Sequence, residues 1–146
     1  MATNEVTSLR NALVAILLAD TTLRTITGRT SGFVVTWQTI ATATRPVIAY
    51  LMTSSPRIGG IGHRRRVQVF LGAYATGNVA QDKVEAMTRR AREVLTKAAF
   101  ATQSVVAEVM ETTERGADPL SDVENTTQTQ EARHDLDLII EMDAPL

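Results

Sequence analysis

The sequence predicts an α+β domain: a mainly antiparallel β-sheet of about five strands with two helices packed on one face. Three observations predict it. Two segments repeat apolar residues at three- and four-residue steps, the spacing of a one-sided helix. Two others, Arg65 to Tyr74 and Arg133 to Met142, alternate apolar with polar residues, the period of a strand covered on one face. The elements also run helix, three strands, helix, two strands, so the helices are segregated from the sheet rather than interleaved with it. At 146 residues the chain reads as one domain, 1–146, long enough to bury a core.

The first helix is placed at 4–19, where Val6, Leu9, Leu13, Ile16 and Leu17 form one stripe and Asn4 or Thr3 stands at the cap. Asp20-Thr21-Thr22 stops it and caps a short further turn through Leu23 and Ile26; Gly28 to Gly32 is a loop. Phe33 to Thr42, rich in aromatic and β-branched residues, reads as the first strand. Pro46 breaks the chain, Val47 to Thr53 is the second strand, and Ser54 to Gly62 is a flexible connection. In the third strand Val67, Val69, Leu71 and Ala73 share one face, and Arg66, Gln68, Phe70 and Tyr74 the other. Gly77-Asn78 opens a second helix running to Ala99, with the stripe Val84, Met87, Ala91, Leu95 and Ala98. Val105 to Glu114 is the fourth strand, with Val106, Glu108 and Met110 opposite Val105, Ala107 and Val109. In the fifth, His134, Leu136, Leu138, Ile140 and Met142 oppose Arg133, Asp135, Asp137 and Glu141. Between these last two lies an acidic, threonine-rich loop at about 116–130, long for a compact domain.

Charge is sorted along the chain. Residues 1–103 hold 13 of the 15 Lys+Arg and 5 of the 16 Asp+Glu, although the formal net charge is −1. Such a split lets copies attract one another, basic surface to acidic surface, unless the fold interleaves the halves. Cysteine is absent, so disulfides and thiolate metal sites are excluded; with two histidines, triads and zinc sites lack their parts. The apolar run Ala12 to Ala19 is too short to span a bilayer, and Glu5 before it is wrong for a signal peptide.

Catalytic and cofactor readings find little support. Asp135-x-Asp137 beside His134 puts two carboxylates on one strand face, where a hard cation such as Mg²⁺ is one reading and a solvated face the other. Gly59-Gly60-Ile61-Gly62 lacks the Lys-Ser/Thr and following helix of a phosphate cradle. The run His63 to Arg66, with Arg57, is the sharpest local feature: a protein interface, a solvated strand end, or a nucleic-acid module gripping phosphates. Trp37 and Tyr50 read as core or subunit-contact residues. The expectation is a protein without enzymatic activity, cofactor or metal.

Several stretches taken in order resemble one family. A helix ends in Leu-Leu-Ala-Asp-x-x-Leu (Leu17 to Leu23), a Gly-containing loop follows, and Arg45-Pro46-Val47 enters a strand. Then come Arg66-Val67-Gln68-Val69, the helix with Ala86 to Leu95, and the closing strand Arg133 to Leu138, Arg-x-Asp-Leu-Asp-Leu. This pattern is similar to that of the tail terminator (tail completion) proteins of long-tailed bacteriophages. The resemblance implies a virion structural protein: a ring, most often a hexamer, that caps the tail tube, stops its polymerisation and joins the tail to the head connector or stopper. It implies a place at the tail–neck junction, assembly in the bacterial cytoplasm, and passage of DNA through the lumen, with no membrane partner. A neck stopper protein is the alternative within that class.

Ring closure joins one patch to a different patch on the next copy. Two charged segments supply such patches: a basic edge with Arg57, Arg64, Arg65 and Arg66, and an acidic arm with Asp118, Asp122 and Glu124. These are the expected subunit or partner contacts.

Overall fold

The computed structural model describes residues 5–58, 64–115 and 131–143. In chain order the elements are α1 (Glu5–Ala19), α2 (Thr21–Thr27), β1 (Val34–Thr36), a 3-10 helix (Trp37–Thr42), β2 (Val47–Ile58), β3 (Arg64–Thr76), α3 (Ala80–Val94), α4 (Lys97–Thr102), β4 (Ala107–Arg115) and β5 (Glu131–Asp143). The five strands form one sheet in the order β1-β2-β3-β5-β4, antiparallel throughout except for the parallel β1–β2 pair. The α+β architecture is therefore as the pattern predicts.

The core lies between one sheet face and the helices. From β3 it takes Val67, Val69, Leu71 and Ala73, and from β5 Leu136, Leu138, Ile140 and Met142, all buried. Leu9, Leu13 and Leu17 of α1 and Val84, Met87 and Ala91 of α3 cover them. Each fully buried leucine or valine contributes about 1.5–3 kcal/mol relative to exposure, so these two alternating strands hold much of the stability. His134, on the same face of β5, is 7% exposed, and its Nδ1 lies 2.5 Å from the Thr88 hydroxyl of α3.

Asp20 joins two helices. Its carboxylate accepts the Leu23 amide at 2.9 Å as the cap of α2. The same group takes Nε and Nη2 of Arg90 on α3 at 3.0 and 2.8 Å. Those hydrogen bonds hold the Asp20 carboxyl below its ordinary value of 3.8, against the opposing effect of burial.

Four sequence expectations need correction. The first strand is three residues long, because the chain turns at Trp37 into the 3-10 helix instead of continuing to Thr42. The second strand runs on to Ile58, templated by the long β3, so half of the expected flexible connection is strand. The second helix is two: α3 ends at Val94, and Thr96 caps a new helix by accepting the Ala99 amide at 3.1 Å. That break exposes Ala98 and buries Phe100. Among the described residues there are four α-helices where two were expected. The N-terminal cap and the 116–130 loop lie outside the described residues.

Candidate functional site

The sheet face away from the helices is not covered by any element except the 3-10 helix, among the described residues. Cross-strand register sets out its residues in rows: Val47, Tyr74 and Arg133; Ala49, Gly72, Asp135 and Arg115; Leu51, Phe70, Asp137 and Thr113; Thr53, Gln68, Ile139 and Glu111. Four acidic residues of β5 on this face each meet an arginine. Arg45 reaches Glu131 at 3.0 Å, Arg133 reaches Asp135 at 2.7 Å, Arg115 reaches Asp137 at 3.1 Å, and Arg66 reaches Glu141 at 3.1 Å. Opposite charges set across neighbouring strands, or two apart on one strand, add a few tenths to one kcal/mol per pair. Their larger effect is to balance the face electrically.

One end of this face is built around Trp37. The turn into the 3-10 helix lays the indole over the sheet at Gly72, where a Cβ would stand 3.0 Å from Trp37 Cζ3. Tyr74 meets Trp37 edge-on, with centroids 6.2 Å apart and planes at 66°. The Arg133 guanidinium lies 4.8 Å from the Trp37 ring centre and 5.4 Å from that of Tyr74; Arg45 lies 5.5 Å from Tyr74 on its own account. Asp135 beside it holds the Arg133 pKa above its usual value, and burial pushes the Tyr74 hydroxyl up. Next to this stack is a cleft of about 270 Å³ lined by Trp37, Leu51, Phe70, Arg115, Asp135 and Asp137.

Among the described residues, the arrangement is a face of paired charges with an aromatic stack at one end. Asp135 and Asp137 share the face the D-x-D spacing predicts, but each is engaged by its own arginine, and His134 points to the core. Among the described residues no three histidines or carboxylates gather as a metal-holding group, and no helix is long and apolar enough to cross a membrane.

The predicted basic contacts are only partly brought together. Register places Arg57 opposite Arg65 and Ile58 opposite Arg64, so these positions fall at one end of the β2–β3 pair. On the other side of β3, Arg64 stands opposite Asp143 and Arg66 opposite Glu141. The basic edge is thus met by acidic β5 within the same chain, and the charge split of the sequence is interleaved by the sheet. Asp118, Asp122 and Glu124 lie outside the described residues. Sequence reasoning missed the Gly72–Trp37–Arg133 stack. Its one signal was a glycine inside an otherwise regular strand, which marks a close approach.

No protein-family model matches this sequence, and no curated protein does. Among solved structures, the fold is shared with a chain from the virion of a native gene transfer agent (GTA) particle, at a TM-score of 0.63. The match covers 98% of this chain and 100% of that one, at 11% sequence identity. This chain therefore has the fold of that virion chain over essentially its whole length.

Proposed function

We propose that this chain is a structural virion protein of a phage-like particle, and within it the terminator of the tail. Six copies close into a ring that caps the tail tube, ends its polymerisation and offers the head connector or stopper a seat, with DNA passing through the lumen. The observation that carries the reading is the end-to-end match, 98% of this chain on 100% of a virion chain. The ordered motifs from Leu17 to Leu138 support the finer assignment to a terminator. An outer face held by paired charges suits a structural role without catalysis, cofactor or metal. Arg57, Arg64, Arg65 and Arg66, with Asp118, Asp122 and Glu124, are the contacts proposed for neighbours. The site of action is the tail–neck junction, after assembly in the bacterial cytoplasm.

The test is tube growth. Tail tube protein polymerising with this protein present should give tubes of limited length carrying density at one end. Unlimited tubes with bare ends would exclude the terminator assignment, and density on the connector instead would favour a stopper.

A further inference from the structure

The sheet is open at two places, on opposite sides. β1 pairs with Ile48 to Tyr50 only, so the same side of β2 has no strand beside it from Leu51 onward among the described residues. On the far side, β4 ends the sheet, and its outer edge is likewise unpaired among the described residues over nine residues. Unpaired strand edges present rows of backbone donors and acceptors ready to continue a sheet.

Three of the four large apolar side chains exposed among the described residues lie at the same two places. Four large apolar side chains are exposed among the described residues: Leu51 at 36%, Val79 at 58%, Val106 at 57% and Met110 at 53%. Leu51 lies on the open part of β2, Val106 precedes β4, and Met110 projects at the register shift between Val109 and Glu111. Beside the β2 edge is a cleft of about 200 Å³ lined by Thr7, Arg10, Gln38, Tyr50 and Met52 among others. Charge distinguishes the edges: β4 exposes Glu108, Glu111 and Glu114, whereas exposed Arg10 flanks the β2 cleft.

The geometry points to a head-to-tail contact between copies, in which β4 of one chain adds to the open edge of β2 in the next and Met110 enters the cleft beside Tyr50. The partner is a second copy of this chain. This deepens the ring reading and rests on it. Three arguments fix the partner. β2 and β5 run one way and β3 and β4 the other, so a ring with its axis along the strands sets β4 antiparallel to the neighbour's β2. The acidic edge meets the edge flanked by Arg10. Pairing of two β4 strands about a two-fold centred on Glu111 would instead set Glu111 against Glu111 and Glu108 against Glu114, which is repulsive. Pro56 carries no N–H, so the bonding run on β2 covers Leu51 to Ser55.

The chain has no cysteine, so single cysteines report contacts directly. Met110→Cys and Met52→Cys proteins, mixed and mildly oxidised, should give disulfide-linked pairs of one variant with the other. The double variant should give a ladder ending at the full ring. Val79→Cys, off both edges, should not link. Met110→Asp should weaken self-association roughly ten- to hundred-fold, the loss of one buried apolar contact, with the helix and sheet content of the chain unchanged by circular dichroism. A ring in native mass spectrometry with no disulfide between the Met110→Cys and Met52→Cys proteins, or with Met110→Cys linking only to itself, would overturn this interface and leave the ring reading standing. A linked ladder that closes at a number other than six would support the interface and count against the hexameric terminator. A wild-type monomer would end both.

Discussion

Replacing Gly72 with alanine puts the Trp37 stack to a test of sign. The added Cβ would lie 3.0 Å from Trp37 Cζ3, 3.2 Å from Asp135 Oδ1 and 3.2 Å from Tyr74 Cε1. Carbon atoms pack best at about 3.5–4.0 Å, so the indole must lift by about half an ångström and loosen its contact with Arg133. Overpacking of this kind costs about 1–3 kcal/mol. Against it stands a gain of about 0.4–1 kcal/mol from restricting the unfolded chain. The balance is a loss of about 0.5–2 kcal/mol, or a fall of roughly 2–6 °C in Tm. Trp37 is the only tryptophan, so its emission reports the displacement without labelling. In a Trp37→Ala background the nearest clash is gone, and the same Gly72→Ala change should lose less than half as much stability. A more stable Gly72→Ala protein with unchanged Trp37 emission would refute this account of the glycine.

Asp20→Ala should cost about 1 kcal/mol for the lost α2 cap alone, about 3 °C in Tm, while Asp20→Asn keeps a capping oxygen and loses only the charged bond to Arg90. Because Asp20 is held below 3.8 in the folded chain, its charge stabilises the fold above that pH and the benefit disappears as pH falls through the lowered value. Melts of Asp20→Asn and wild type should therefore differ at neutral pH and converge in acid; a constant difference would contradict the linkage. Thr88→Val should destabilise by about 1–3 kcal/mol in chemical denaturation, since it leaves buried His134 without its hydroxyl partner, whereas Thr88→Ser should stay near wild type. Equal losses in the two Thr88 variants would assign the effect to packing instead.

Strands buried on one face were readable because alternation records burial directly. Every core residue assigned to β3 and β5 from sequence is buried. Helix starts with a side-chain cap were partly readable: Asp20 stood out after an apolar run, but Thr96 sat inside an unbroken helical pattern. The new helix there has Thr96 as its cap and buries Phe100 in the core. The segment from Phe33 to Thr42 misled for a related reason. Its aromatic and β-branched residues suit a strand, yet Trp37 gains more by crossing over Gly72 than by extending β1, and that gain depends on a residue 35 positions away. Charge was legible as a sum, and its interleaving was legible too, because strands 3 and 5 are expected from their pattern to share one sheet and do. The interleaving of β3 with β5 puts Arg66 against Glu141 and removes the lengthwise split, and nothing local announces which strands end a sheet.

The central claim is that this chain closes a ring on the end of a tail tube. Its most direct test is electron microscopy of the wild-type protein with preformed tubes, paired with native mass spectrometry of the protein alone. The account predicts a ring of six copies seated at one tube end. A protein that stays monomeric at high concentration and leaves both tube ends bare would contradict it.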